Sequence, residues 1–280
     1  MRENQQEAAV RRKTSTRTAI TLTGAIGAAA FALGTVVAVA PGAPTTPVAP
    51  AAAAAPADRA TVIRTAQASI AALERQADAV GAEAQRADEA VLQHDTAATR
   101  AAAAAAQERL VALAKQQTPE LAGLITRLDS AGVDVSAETG AASSSGATVT
   151  TAALVGRTRA LRAVSYAKQQ IGDPYSFAGA GPGRWDCSGL TMKAYSAVKV
   201  GIGGHSATAQ YNKARSQHRL VSYSKRQRGD LIFFGRPGAV YHVAIYAGNN
   251  RMIEAPYPGK RVREVPVRSG GRLSSVARPA

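Results

Sequence analysis

The chain has 280 residues, 46% of them hydrophobic but only 5% aromatic, a formal net charge of +15 and a single cysteine. That length allows one or two domains, and the alanine-rich, aromatic-poor composition is too dilute for one uniform core. One cysteine excludes an internal disulfide, and without a C-x-x-C pair or an H-E-x-x-H motif no zinc site and no cofactor are expected.

The charge is unevenly spread. Residues 1–18 carry 5 basic and 2 acidic groups, residues 19–155 carry 8 and 12, and residues 156–280 carry 21 and 5, giving +3, −4 and +16. The basic C-terminal part should gather near polyanions. No nucleic-acid-binding motif accompanies it. Residues 1–40 read as an export signal or membrane anchor. Arg2, Arg11, Arg12, Lys13 and Arg17 precede the uncharged apolar run Ala19 to Ala40, which is long for a signal peptide and borders on the length that spans a bilayer. A free thiol in an exported protein is either sheltered or used. Residues 41–57 form an Ala/Pro linker.

Residues 58–130 read as a helical, coiled-coil-like segment. Ile63, Ala66, Ile70, Leu73, Ala77, Val80, Ala84, Ala87 and Val91 alternate spacings of three and four, a heptad seam. The seam breaks at His94-Asp95-Thr96, so one long helix and a hairpin folding back near residue 95 both fit. Thr118-Pro119-Glu120 resembles a cap with proline at the first helical position, predicting a separate short helix with Leu121, Leu124 and Leu128. Residues 131–154 are rich in Gly, Ser and Thr and read as a second linker, with a compact domain over 155–280.

In that domain Leu161, Val164, Ala167 and Ile171 predict a helix ending at Gly172. Asp186 is a good N-cap for a helix carrying Leu190, Ala194 and Val198, which places Cys187 in its first turn. There the helix dipole and free backbone N–H groups should lower the thiol pKa. Ser206 caps a further short helix. Strands follow at Leu231–Phe234, Val240–Tyr246 and Arg251–Glu254, with a fourth at Arg261–Val267. Helices first and strands after predict an α+β domain with an antiparallel sheet.

A catalytic thiol needs a base within reach and a group to orient that base. Of His94, His205, His218 and His242, only His242 interrupts an apolar strand. His205 is read as a satisfied loop residue and His218 as solvated. Glu254 likewise interrupts Met252-Ile253 and Ala255. With a three-residue loop at Gly248-Asn249-Asn250, residues of equal parity share a face and His242 and Glu254 are neighbours. With a two-residue turn at Asn249-Asn250 they fall on opposite faces and the pairing fails.

Gly172-Asp173-Pro174-Tyr175, Asp186-Cys187-Ser188-Gly189-Leu190, Arg228-Gly229-Asp230-Leu231, Tyr241 to Tyr246 and Met252-Ile253-Glu254-Ala255-Pro256 together resemble the NlpC family of papain-like cell-wall peptidases, over about residues 156–268. The resemblance implies a cysteine on a helix N-terminus packed against an antiparallel sheet, and hydrolysis of peptidoglycan stem peptides, most often at the D-glutamyl–diaminopimelate bond. It casts Cys187 as a thiolate nucleophile held in an ion pair by His242, which protonates the leaving amine, and Glu254 as orienter, where the family commonly has His. It casts Tyr175 as an oxyanion donor with the Cys187 backbone N–H. It casts Asp186 and Ser188 as holding the free amine of the stem peptide, against the plainer reading that they only cap the helix. The implied partners are stem peptides and anionic wall polymers, with no nucleic acid, and the implied location is secreted or in the wall. Exported relatives with a helical segment can mask the cleft, and an acidic helical segment beside a basic domain is compatible with such docking. The competing readings are a wall amidase using the same triad, a non-catalytic basic wall-binding protein and a secreted antibacterial effector.

Overall fold

Two helices lie against each other ahead of the sheet: α1 (Pro56–Gln93) and α2 (Ala97–Ser130). The computed structural model describes residues 56–133 and 146–280. The expected leader, almost all of the first linker and residues 134–145 of the second lie outside the described residues, so the expectations on them are untouched. Among the described residues no helix is long and apolar enough to cross a membrane.

The break at residues 94–96 makes a hairpin rather than one long helix. Thr96 caps α2, its hydroxyl accepting from the Thr99 amide at 3.1 Å while the Thr99 side chain accepts from the Thr96 amide at 3.0 Å. The heptad seam buries as its spacing predicts: Ala66, Ile70 and Leu73 share an apolar cluster with Leu121, Leu124 and Leu128, and Ala84 meets Ala106 and Leu110. Small alanines in the seam allow close approach.

Pro119 does not start a new helix; it lies inside α2. Proline removes one N–H and usually breaks a helix. Here Leu110, Ala114, Gln117, Leu121, Leu124 and Leu128 continue one buried stripe across it. The Thr118 hydroxyl caps the Ala114 carbonyl at 2.8 Å, and burial of the stripe outweighs the missing bond.

The second linker is also shorter than expected, because α3 begins at Gly146 and runs to Lys168. Leu154, Val155 and Leu161 join the hairpin's apolar cluster, whereas Ala163, Val164 and Ala167 join the core above the sheet. The helix therefore bridges the two cores. It ends at Lys168 rather than Gly172, and Ile171 packs from the following turn. Helices α4 (Cys187–Ser196) and α5 (Ala207–Ser216) follow, capped by Asp186 and Ser206.

Strands β1 (Leu220–Ser222), β2 (Leu231–Arg236), β3 (Ala239–Gly248), β4 (Arg251–Glu254), β5 (Arg263–Pro266) and β6 (Arg272–Ala277) form one antiparallel sheet in the order β1-β6-β2-β3-β4-β5. The sequence pattern missed β1 and β6: β1 has only three residues, and the polar and apolar residues of β6 follow no period of two. Leu231, Phe233, Val243, Ile245 and Ile253 face the helices, and Ile232, Phe234, Ala244, Tyr246 and Met252 pack on the other side. The α+β architecture and the helical segment before it are as expected.

Charged contacts join the hairpin to the rest. Asp78 pairs with Arg228 at 2.5 Å and Asp88 with Arg251 at 2.9 Å, and Glu74 pairs with Arg157. Gln107 exchanges two hydrogen bonds with the Glu264 backbone at 2.9 and 3.2 Å. Arg251, fully buried, also pairs with Glu264 at 3.3 Å, and Glu264 with Lys168 at 3.1 Å. Burial pushes the Lys168 ammonium pKa down and Glu264 pushes back. These contacts lie at α3, at the β3–β4 turn and along β4–β5. Among the described residues none joins the hairpin to Tyr175, Asp186, Cys187, Ser188, His242 or Glu254.

A chain starting at Val155 keeps every candidate site residue but loses Asp78, Asp88 and the apolar face beneath α3. Losing these ion pairs and the apolar cover of α3 exposes hydrophobic surface that the hairpin buries, so this chain should be less stable than one starting at Pro56. Denaturant unfolding of both checks this; equal midpoints would show the hairpin to be dispensable to the fold.

Candidate active site

Cys187 opens α4 because Asp186 ends the preceding loop in extended conformation and caps the helix. One oxygen of Asp186 accepts from the Gly189 amide at 2.7 Å and from the Ser188 hydroxyl at 3.0 Å. The other lies 2.8 Å from His205 Nε2. Gly189 is required by the packing: a Cβ there would lie 2.1 Å from the Gly179 carbonyl and 2.9 Å from His205 Nε2. Trp185, buried beside the site, donates its indole N–H to Asp173 at 2.8 Å and meets Tyr166 edge-on.

The helix N-terminus does not make the thiol acidic, contrary to the expectation from position alone. Burial pushes the Cys187 pKa up, and the Asp186 carboxylate adds to the rise. The backbone N–H groups of Val243, Ser188 and Cys187 act in the opposite sense but are outweighed. The cap that starts the helix thus opposes the dipole it creates. The Val243 contact also places the sulfur against β3, one residue from His242.

His242 and Glu254 do share a face, by a route other than the expected three-residue loop. The β3–β4 turn has two residues, Asn249 and Asn250, with Gly248 pairing Arg251. That turn alone would separate the two side chains. A register shift between Tyr246 and Gly248 inserts Ala247 as an extra residue, and beyond it Tyr246 pairs Met252 and Ile245 pairs Ile253. The bulge restores equal parity. His242 Nε2 then lies 2.8 Å from Glu254 Oε2, both side chains buried.

Glu254 has further partners. Arg268 donates to Oε2 at 2.7 Å, and Arg263 donates to Oε1 through Nη2 at 2.9 Å and Nε at 3.2 Å. Burial works against a charge on Glu254, but hydrogen bonds from His242 and Arg268, with their positive charge, outweigh it and hold the carboxyl at about 2, against an ordinary 4.5. His242 therefore donates Nε2–H to a carboxylate, and no hydrogen bond engages Nδ1 among the described residues. Sequence reasoning missed both arginines. Arg263 stands directly opposite Glu254 in the β4–β5 register, but the irregular segment from Ala255 to Val262 hides that register from the sequence.

Tyr175 lies in the loop before α4. Its amide donates to the Lys260 carbonyl at 2.8 Å. Its phenol pKa is raised by burial and by the negative charges that Cys187 and Asp186 carry when ionised. Asp186 and Ser188 are both buried and bonded within the protein, so the capping role is realised; an arriving ammonium would have to share Asp186 with His205. His94 stands at the distant hairpin turn, and His218 ends α5's following turn with φ of 55°. Among the described residues no cluster of three or more His, Cys, Asp or Glu is arranged to hold a metal. A buried imidazole–carboxylate pair next to a thiol at a helix N-terminus can support acyl transfer through a covalent thioester.

Comparison with known proteins bears on this arrangement. Residues 172–276 match the family described as NlpC/P60. Peptidoglycan endopeptidase RipA of Mycolicibacterium smegmatis is 41% identical over 122 residues, covering 39% of this chain and 23% of the relative. Peptidoglycan endopeptidase RipB of Mycobacterium tuberculosis is 38% identical over 155 residues, covering 49% of this chain and 62% of the relative. The solved P60 domain of an antigen of M. avium subspecies paratuberculosis is 32% identical and covers 44% of this chain and 95% of that domain, with a TM-score of 0.39. The chain spans about a quarter of the length of the RipA relatives it matches, 23% and 25%, and the family match leaves α1 and α2 outside it.

The Glu254 carboxyl yields a signed pH dependence. Its folded pKa, about 2, lies below the ordinary 4.5, so the stabilisation it supplies is present above about pH 4.5 and is lost as pH falls toward 2. The difference corresponds to about 3 kcal/mol. Glu254→Gln should flatten the stability profile over that window. Denaturant unfolding at steps from pH 5 to pH 2 checks it; parallel profiles for the two proteins would contradict the assignment.

Proposed function

The chain belongs to the NlpC/P60 family, and from that premise we propose that it is a cysteine peptidase that hydrolyses peptidoglycan stem peptides. The buried His242–Glu254 pair beside Cys187, 2.8 Å between Nε2 and Oε2, is the observation that carries this reading. It supplies a base and its orienter on one sheet face, which a wall-binding protein without catalysis does not require.

In this reading the resting nucleophile is a thiol, since burial disfavours the thiolate. Nδ1 of His242 takes the Cys187 proton as sulfur attacks the amide carbonyl, and Glu254 stabilises the imidazolium that forms. Negative charge moves to the carbonyl oxygen, where the Tyr175 hydroxyl and the Cys187 backbone N–H act as donors. The imidazolium protonates the departing amine and leaves a thioester. Water, deprotonated by His242, attacks the thioester, releases the carboxylate product and returns the proton to sulfur.

The D-glutamyl–diaminopimelate bond is the favoured site of cleavage, and amidase action between sugar and peptide is its rival. Digestion of purified wall separates them: fragments with sugar-linked L-Ala-D-Glu ends support the endopeptidase. An exported, wall-associated location fits such a substrate, and the basic catalytic domain fits anionic wall polymers around it. The hairpin is read as a buttress of the catalytic domain rather than a plug, because its ion pairs reach Arg157, Arg228 and Arg251 and none of the candidate site residues.

Cys187→Ala should abolish wall hydrolysis while leaving the unfolding midpoint near that of the parent; residual hydrolysis by the pure variant would refute the catalytic reading. Tyr175→Phe should lower kcat about 10²-fold with little change in KM, the loss associated with one oxyanion donor. Steady-state kinetics on a defined muropeptide check this.

A further inference from the structure

We propose that Arg268, with Arg263 beside it, is a positioning residue that sets how strongly Glu254 holds the His242 imidazole. The inference rests on the reading of Cys187, His242 and Glu254 as the reacting set.

A carboxylate offers about four lone-pair sites, and four N–H groups fill those of Glu254: Nε2 of His242 and Nη1 of Arg268 on Oε2, Nε and Nη2 of Arg263 on Oε1. The side chain of Glu254 has no solvent exposure while all four donors are in place. Arg268 bears on His242 in a second way. Its guanidinium lies 4.2 Å from the Phe234 ring centroid, and that ring is 5.6 Å from the His242 ring. Arg268, Phe234, His242 and Glu254 thus close a ring of contacts in which Arg268 and His242 compete for the same oxygen.

Competition has a defined sign. A cation sharing Oε2 draws off part of the carboxylate's field and repels an imidazolium nearby, so both effects lower the proton affinity of His242. Glu254 alone would hold the imidazolium more firmly. The two arginines keep a buried carboxylate ionised and oriented, and moderate its pull so that His242 can release its proton to the leaving group. Among the described residues, the titratable groups of α4 and its cap nearest β3 are Cys187, whose sulfur meets the Val243 N–H, and Asp186, which is bonded to His205; the Tyr175 phenol from the preceding loop is coupled to both. From β2 the neighbour is the uncharged Phe234, and Arg272 at the start of β6 is stacked on Tyr223 instead.

The test is the protonation midpoint of the His242 ring, followed by NMR on the full chain and assigned with a His242→Gln spectrum. Arg268→Met should raise the midpoint by about half to one pH unit. Arg268→Lys, which keeps the charge, should stay closer to the parent. Arg263→Met, acting on the other oxygen, should raise it less. In a Glu254→Gln background the effect of Arg268→Met should fall by at least half, because only direct repulsion remains. No rise in Arg268→Met, or an equal rise with and without the Glu254 carboxylate, overturns the proposal. If Arg268→Met does not fold, as judged by circular dichroism, Arg268→Gln is read against the same outcomes. The titration uses no wall substrate, so inactivity of the parent would refute the proposed function and leave this test standing. Where the parent hydrolyses wall, the acid limb of its pH–rate profile should move up with the midpoint in Arg268→Met, because His242 acts as a base only when unprotonated.

Discussion

The bulge at Ala247 governs whether His242 and Glu254 can meet. A two-residue turn at Asn249-Asn250 makes an antiparallel hairpin in which residues of equal parity point to opposite faces. One inserted residue reverses that for everything beyond it. The local backbone is costly: Gly248, Asn249 and Asn250 all have positive φ, at 92°, 48° and 54°. Glycine adopts this readily and asparagine tolerates it, so the residue types at 248–250 suit the conformation. The surroundings hold it as well. The Ala247 carbonyl accepts from Arg228 Nε at 2.6 Å, the Asn250 amide donates to the Tyr246 hydroxyl at 3.2 Å, and the Asn249 side chain donates to the Asp78 carbonyl at 2.8 Å.

Much of this could be read in the sequence, for identifiable reasons. Cys187 at a helix start follows from Asp186 and the apolar spacing after it. His242 and Glu254 stand out because strands with both faces buried tolerate few polar residues, and each of those that remain needs a partner. A three-residue loop and a bulged two-residue turn bring the same pair together, and a bulge leaves little trace in an apolar pattern. Arg263 and Arg268 were hidden for a related reason. In a domain with 21 basic residues after position 155, one arginine looks like another until the register of β5 puts Arg263 opposite Glu254. Pro119 was misread because helix propensity is local, whereas the stripe from Leu110 to Leu128 that carries α2 through it is tertiary.

The thiol shows the limit of arguing reactivity from position. A helix N-terminus favours an anion only if little else nearby is negative and the site is not dry. Cys187 is half-buried, and the capping carboxylate of Asp186 belongs to the same turn as the sulfur. Asp186 is bonded to the Gly189 amide, Ser188 and His205, so part of its charge is directed away from the thiol. The balance still favours the neutral form. Activation therefore falls to the imidazole, and the field at His242 matters more to the chemistry than the helix dipole does.

That field is traceable to parts of the chain outside the family match. Arg228 bonds the bulged Ala247 carbonyl with one nitrogen and Asp78 with another, and reaches the Glu74 carbonyl of α1 with a third at 3.3 Å. A side chain at Gly248 would collide with this guanidinium, its Cβ lying 2.2 Å from Nη2. Farther along the hairpin, Asp88 pairs with Arg251 at the start of β4, the strand that ends at Glu254, and Gln107 ties down Glu264, the residue after Arg263. Each anchor meets the sheet within a few residues of a position that fixes the His242–Glu254 geometry. From charge alone, an acidic helical segment beside a basic domain is compatible with docking over the cleft. Its contacts meet the turn end of β3 and β4 and the neighbouring β5, and they supply counter-charges to the buried Arg228 and Arg251.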